Sequence, residues 1–196
     1  EQHSFFNYID HGQIQADRDV LGDTYDQIAT FANQFPFEQA GVTYEDIDTT
    51  LFHNVSRVTT GTFDREAVVT ALESRGFEQV GERAGYTLLT GGDSVMARGA
   101  VAVETDTFVS AAPFGETDGP GPRVAVEATV DARRGASDRY AETNTAMART
   151  TAALGTGTNV SVSTQEPAAT TDISSGTFEG MVADGIRGRI DGETTT

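Results

Sequence analysis

The sequence predicts an α+β fold in which an antiparallel sheet is covered by helices on one face. Three observations lead to this prediction. A well-defined amphipathic helix occupies residues 60–77, strand-like segments lie on both sides of it, and the segments that follow it come in pairs joined by short turns. Strands joined by short turns pair antiparallel, and a helix between them buries its apolar stripe against their sheet.

The helix at residues 60–77 carries recognisable signals at both ends. Asp64 is a good N-cap, because its carboxylate accepts hydrogen bonds from the free amides of the first turn. Val68 and Leu72 recur at the helical period and give the helix an apolar stripe. Gly76 suits the left-handed position that commonly ends a helix. None of these side chains is chemically reactive, so the helix is interpreted as a packing element.

A second helical pattern precedes it. Apolar side chains recur at helical spacing over residues 17–35, and Pro36 ends the pattern because the residue before a proline avoids the helical region. Gly22 interrupts the pattern, so we expect the firm part of the helix to begin at Asp23. A stripe for a binding partner has the same spacing, but core packing is the commoner use of such a face.

Strands are predicted where β-branched and aromatic residues are enriched or alternate with polar ones. Residues 1–15 are expected to form a short strand or an irregular lead-in. The other predicted strands are 47–60, 78–82, 86–90, 95–104, 107–111, 158–164 and 178–190.

Gly115–Pro122, with the sequence GETDGPGP, is the clearest break in the chain. It divides the chain into a predicted N-terminal α+β subdomain, residues 1–114, and a C-terminal α+β subdomain, residues 115–196. Two related α/β halves are one interpretation, because residues 60–63 resemble residues 175–178, and one continuous domain is the other.

Two helices are predicted after the break. Residues 123–132 alternate as a strand does but have the Ala and Glu content of a helix, and we favour the helix. Residues 138–154 carry an apolar face at helical spacing and are followed by Gly155.

Charge is the strongest compositional signal. The formal net charge is -17, and all 13 basic residues are Arg, so the chain contains no Lys. The acidic residues are dispersed along the chain, which is typical of a halophilic protein whose carboxylates keep the fold solvated in molar salt. An acidic surface for a basic partner is the alternative, but such surfaces are usually clustered. Nucleic acid is not expected as a partner, because no basic stripe is present.

Missing residues and motifs exclude several chemistries. The chain contains no Cys, which excludes disulfides, thiolate nucleophiles, Fe–S clusters and Cys-type zinc sites. The absence of Lys excludes a P-loop lysine and a Schiff base. No serine nucleophile elbow or dinucleotide-binding glycine motif occurs, and no cofactor is predicted. No apolar run approaches the roughly 20 residues that span a bilayer, so no transmembrane segment is predicted.

Four residues are retained as candidates for a site, and none is assigned a catalytic role. His53 lies in a predicted strand, and an imidazole is a common acid, base or metal ligand. Glu45, Asp46 and Asp48 are close carboxylates, which can act as acid and base or bind Ca²⁺. The competing interpretation is halophilic surface, because 30 acidic residues produce close pairs by chance.

Other polar features have simpler interpretations. They are the carboxylate pair Asp17 and Asp19, the dipeptide Arg133-Arg134, and glycosylation acceptor patterns at Asn54 and Asn159. An arginine pair at a helix end complements the helix dipole more often than it holds an anion.

Together, the lysine-free acidic composition and the segments TGTFDREAVVTALESRGF, GYTLLTGG and FEGMVADGIRGRIDGETTT resemble the uncharacterised exported proteins of haloarchaea. Many of these resemble lipoproteins, which are held outside the membrane by a lipid on an N-terminal Cys. The resemblance implies an extracytoplasmic location at the cell surface and a lipid anchor upstream. It implies no catalytic residue.

These observations predict a non-enzymatic extracytoplasmic domain of a halophilic archaeon that binds a protein or small-molecule partner. One alternative is a hydrolase that depends on a metal or on carboxylates. The other is a structural subunit of a cell-surface assembly.

The acidic composition gives a prediction about salt. Lowering NaCl from molar concentration to about 0.1 M lengthens the screening distance to roughly 10 Å and exposes the carboxylates to their mutual repulsion. We expect the thermal unfolding midpoint to fall over this range. A midpoint that stays constant would contradict the halophilic interpretation.

Overall fold

The structure is a computed structural model, which describes residues 4–32, 37–54, 56–91, 99–112, 121–165 and 182–190. The strands are β1 (Ser4–Asp10), β2 (Ile47–His53), β3 (Ser56–Gly61), β4 (Phe77–Arg83), β5 (Tyr86–Gly91), β6 (Gly99–Val103), β7 (Thr107–Ala111), β8 (Asn159–Thr164) and β9 (Ala183–Gly188). The α-helices are α1 (His11–Ala16), α2 (Arg18–Leu21), α3 (Asp23–Ala32), α4 (Phe37–Ala40), α5 (Arg65–Glu73), α6 (Pro122–Arg134), α7 (Tyr140–Thr143) and α8 (Thr145–Leu154). One 3₁₀ turn occupies Tyr44–Asp46.

Within the described residues, nine strands form a single antiparallel sheet in the order β4-β5-β6-β7-β3-β2-β1-β8-β9. Most neighbouring strands are consecutive in the chain, as short connections favour. The pairing of β1 with β8, from Ser4 opposite Thr164 to Ile9 opposite Asn159, joins the two ends of the chain. Strands from before and after the Gly115–Pro122 break therefore belong to one sheet. The predicted α+β class with an antiparallel sheet is confirmed.

Helices cover both faces of this sheet, whereas the sequence interpretation expected them on one. On β7, Phe108 faces the core under α1–α5, which we call the front face, and Val109 faces the core under α6, on the back face. The helices α7 and α8 also lie on the back face, over β8 and β9. The reason lies in β6, where the small side chains of Ala100 and Ala102 are buried as fully as the valines beside them. A strand buried on both faces requires two covering layers.

The predicted helix at residues 60–77 is confirmed as α5. The Asp64 carboxylate accepts a hydrogen bond from the Ala67 amide at 3.0 Å, as an N-cap does. Val68 and Leu72 are buried in the front core, and Gly76 has a positive φ of 81° just beyond the helix.

The predicted single strand over residues 47–60 is wrong, because the structure has the hairpin of β2 and β3 there. Asn54 turns the chain with a φ of 47°, a left-handed conformation that Asn tolerates better than most residues. The turn was not predicted because β propensity is high throughout residues 47–60 and no glycine or proline marks the turn.

Two predicted helices are each divided in the structure. The segment 17–35 becomes α2 and α3 because Gly22 adopts a φ of 51°, and its predicted end at Pro36 lies outside the described residues. The segment 138–154 becomes α7 and α8, and the side chain of Asn144 between them caps α8 by accepting from the Met147 amide at 2.9 Å. The helix favoured for residues 123–132 is confirmed as α6. No helix was predicted where α1 and α4 lie.

The predicted strand at residues 178–190 is confirmed only as β9, and the part of it before Val182 lies outside the described residues. Residues 115–120 of the predicted break, and residues 175–178, which resemble residues 60–63, also lie outside them.

Among the side chains that the structure describes, no Asp or Glu is buried. No helix in the described ranges has the length and apolar character needed to cross a membrane.

Gly61 shows how closely the 3₁₀ turn approaches the end of β3. A Cβ at this position would lie 2.0 Å from the backbone oxygen of Asp46, which also accepts a hydrogen bond from the Thr62 amide. We expect Gly61→Ala to lower the free energy of unfolding by about 2–3 kcal/mol, because backbone must move to relieve the overlap.

The matched control is Gly12→Ala in α1, where the new Cβ would be 3.5 Å from the Asp10 carboxylate, an ordinary contact. This variant should be stabilised by up to about 1 kcal/mol, because alanine favours a helix. Chemical denaturation in molar NaCl measures both. Equal stabilities of the two variants would contradict this account of the Gly61 contact.

Candidate functional site

His53, the first of the residues retained from the sequence, lies at the end of β2 on the back face. Its ring stacks on Phe6 with 4.3 Å between the ring centroids, and Tyr140 of α7 lies 6.2 Å away. Burial lowers the pKa of His53, so the neutral imidazole is favoured. These contacts place His53 in an aromatic packing layer between the sheet and α7.

The three carboxylate candidates lie at the opposite end of β2. The Asp46 carboxylate accepts hydrogen bonds from the amide and hydroxyl of Thr43, at 2.9 and 2.8 Å, and so caps the 3₁₀ turn. Glu45 and Asp48 are exposed. At about 3.4 Å per residue along the strand, Asp48 is about 17 Å from His53, so the structure does not bring these candidates together. Among the residues described, no three His, Asp or Glu side chains are grouped so as to hold a metal ion.

The other polar features also have partners within the fold. Arg133 donates to the hydroxyls of Tyr86 and Thr107, and Arg134 forms an ion pair with Glu104. The Asp17 carboxylate accepts a hydrogen bond from the Gln13 side-chain Nε2 at 2.6 Å.

A buried polar cluster that the sequence interpretation did not single out lies under α1. His11 is 2% exposed, its Nδ1 lies 3.1 Å from the Tyr44 hydroxyl, and its Nε2 lies 3.0 Å from the Thr50 hydroxyl. Both ring nitrogens therefore have hydrogen-bond partners without an added proton. Burial, together with the positive charge of Arg57, lowers the pKa of His11 to about 4. Burial likewise raises the pKa of Tyr44, so that this hydroxyl stays protonated.

Arg57 of β3 lies beside this cluster on the front face. Its guanidinium is 4.3 Å from the ring centroid of Phe37 and 5.3 Å from that of Phe52, and it donates to the backbone oxygen of Ala32 at 3.3 Å. Burial lowers the pKa of Arg57 to about 10, so the side chain still carries its charge at neutral pH. A cavity of about 30 Å³, which is room for about one water molecule, is lined by Arg57, His11 and side chains of α3.

A larger cleft opens next to this cavity, between α3 and the strands β1, β8 and β9. Its volume is about 480 Å³, within the size range of small-molecule sites. Ile9, Ile28 and Phe31 line both hollows, so the cleft and the small cavity share one wall. Phe31 is 63% exposed, which is unusual for a large aromatic side chain.

The cleft combines an apolar wall with polar groups from the two ends of the chain. Its apolar lining consists of Ile9, Ile14, Ile28, Phe31 and Ile190. Its polar lining consists of Thr24, Gln27, Thr158, Asn159 and Arg189. Such a lining suits a ligand with an apolar body and a polar end, because the apolar wall contributes affinity and the polar groups fix orientation.

Two of the polar groups, the side chains of Asn159 and Arg189, are already held in place by the fold. The side-chain oxygen of Asn159 lies 3.4 Å from the side-chain nitrogen of Asn7 on β1, which also donates to the Ser161 hydroxyl at 2.6 Å. The Arg189 guanidinium donates to the Thr156 backbone oxygen at 3.1 Å, and no ion pair involves it in the part of the chain that the structure describes. Arg189 therefore offers a positive charge at the cleft of a strongly acidic protein.

Neither a scan against protein-family models nor searches of curated proteins and of solved structures finds a match for this chain.

The His11 cluster gives a prediction about pH. The lowered pKa means that the unfolded chain binds a proton below pH 6.5 whereas the folded chain does so only near pH 4. Unfolding is therefore favoured as the pH falls between these values, and His11 lowers the free energy of unfolding by up to about 3 kcal/mol.

The variant His11→Gln keeps a side chain that can bond Tyr44 and Thr50 but does not titrate. We expect the unfolding free energy of the wild type to fall relative to that of the variant as the pH decreases from 6.5 to 4. His53 contributes equally to both proteins. Parallel pH profiles in denaturant titrations would show that His11 is not protected from protonation.

Proposed function

We propose that this chain is a non-enzymatic extracytoplasmic binding domain of a halophilic archaeon, and that its ligand is a small amphipathic molecule held in the cleft between α3 and β1, β8 and β9. The observation that carries the proposal is the cleft itself, with about 480 Å³, an apolar wall that includes the exposed Phe31, and amide, hydroxyl and guanidinium groups around it. A carboxylate or a set of hydroxyls is the polar end that these groups suit best.

The halophilic part of the proposal rests on the charge of the protein and the exposure of its carboxylates. The net charge is -17 without any Lys, and the described carboxylates are all at least partly in contact with solvent. A dispersed carboxylate surface of this kind supports the proposal that the protein is adapted to high salt. The extracytoplasmic location and the upstream lipid anchor rest on the resemblance to exported haloarchaeal proteins.

The two alternative functions draw unequal support. A hydrolase that uses His53 with Glu45, Asp46 or Asp48 is disfavoured, because these side chains lie at opposite ends of β2 and Asp46 is engaged in a cap. A structural subunit of a cell-surface assembly draws support from the outer edge of β9, which no described strand covers.

The test is a thermal-shift panel on the full chain in molar NaCl. The probes are medium-chain carboxylates, alkyl glycosides, sugars, nucleotides, amino acids, peptides and divalent metals. A ligand at 100 times its dissociation constant that binds only the folded chain adds about 2.7 kcal/mol to its stability. We expect a carboxylate or alkyl glycoside to raise the unfolding midpoint. If every amphipathic probe leaves it unchanged, the proposal fails.

A hit is localised with Phe31→Ala, which should weaken binding about tenfold, because roughly 1.4 kcal/mol of apolar contact is removed. The matched control is Val124→Ala on α6, an exposed side chain on the back face away from the cleft. Equal affinities of the two variants would place the ligand elsewhere.

A further inference from the structure

Among the strands that the structure describes, the two at the edges of the sheet differ in how they are protected against pairing with another strand. The edge strand β4 contains an irregular register between Gln79 and Gly81, and it carries Glu78 and Glu82. A bulge and charges are common devices against edge-to-edge association. The edge strand β9 is regularly paired with β8 over all six residues and has no bulge. Its exposed side chains include an apolar one, since Ile186 is 72% exposed.

The positions of the hydrogen-bonded residue pairs between β8 and β9 show which backbone groups of β9 point outward. The Gln165 amide donates to the Val182 oxygen at 2.9 Å, and these residues are opposite each other in the register of β8 and β9. Hydrogen-bonded and non-hydrogen-bonded pairs alternate along an antiparallel ladder. Asp184, Ile186 and Gly188 therefore direct their backbone groups toward β8, and the residues between them direct theirs outward. The outward set is Ala183, Gly185 and Arg187.

We propose that β9 is a pairing surface for a second copy of this chain, so that two sheets join edge to edge about a two-fold axis at Ile186. In this register Ile186 faces Ile186 of the partner subunit in a non-hydrogen-bonded pair, where side chains approach most closely. Gly185 of one copy is then opposite Arg187 of the other, and the outward groups of both residues form hydrogen bonds twice about the axis. The same patch serves both copies, as a two-fold interface requires.

The distribution of charge favours β9 over β4 as the edge that pairs with a second copy. The chain as a whole carries -17, which opposes self-association over most of its surface. The segment 182–190 contains one acidic residue, Asp184, and two basic residues, Arg187 and Arg189. Two copies that meet along β9 therefore bring few carboxylates together, whereas β4 would bring its glutamates together. A six-residue edge gives a small interface, so the dimer is reversible and depends on concentration.

The experiment measures the mass of the full chain by light scattering and sedimentation in molar NaCl over a range of concentrations. We expect the mass to rise from 20.8 kDa toward twice that value as the concentration increases. A chain that stays monomeric up to millimolar concentration, or one that forms larger species without a dimer plateau, overturns the proposal.

Two variants test the edge itself. Ile186→Lys places a charge at the two-fold axis, and Arg187→Pro removes an outward amide that β8 does not use. Both should shift the dimer dissociation constant upward at least tenfold, while thermal unfolding confirms that they are folded.

The matched controls are Val124→Lys, the same kind of change at an exposed position on α6, and Arg187→Ala, which keeps the outward amide. Both controls should dimerise as the wild type does. If Arg187→Pro is folded and still dimerises normally, or if Val124→Lys weakens the dimer as much as Ile186→Lys, another surface forms the contact and the proposal is wrong.

Discussion

The pairing of β1 with β8 is the contact on which the rest of the structure depends. β1 lies between β2 and β8, so it connects the strands of the first two-thirds of the chain with the last two strands. The cleft exists because of this pairing, since Ile9 and α3 come from one end of the sequence and Thr158, Asn159 and Ile190 from the other. The back-face layer depends on it as well, because α8 packs on β8 and β9.

Local signals in the sequence predicted the elements better than their arrangement. The cap at Asp64 and the stripe through Leu72 predicted α5, because these interactions lie within one helix. The turn at Asn54 was missed, since its left-handed backbone is imposed by the pairing of β2 with β3 and no glycine marks it. The second covering layer left no signal at Ala100 and Ala102, because alanine is too small to show whether it is covered.

The candidate site was less predictable for the same reason. His11 is one of three histidines without metal-site spacing, and only the fold brings it between Tyr44 and Thr50. His53 was retained from the sequence, but its ring is used in stacking with Phe6. The cleft residues share no motif, because they come from two groups, residues 9–31 and 158–190, which are more than a hundred positions apart and meet only in the fold. Such convergence leaves no pattern in a single sequence.

The position of β1 also has a consequence for the order in which the chain folds. A contact between residues this far apart closes a very long loop, and loop closure must precede any gain from the contact. The first strand therefore waits for nearly the whole chain before both of its edges are paired. Until then its free edge can join a strand of another chain, so slow synthesis or early termination would favour aggregation through β1.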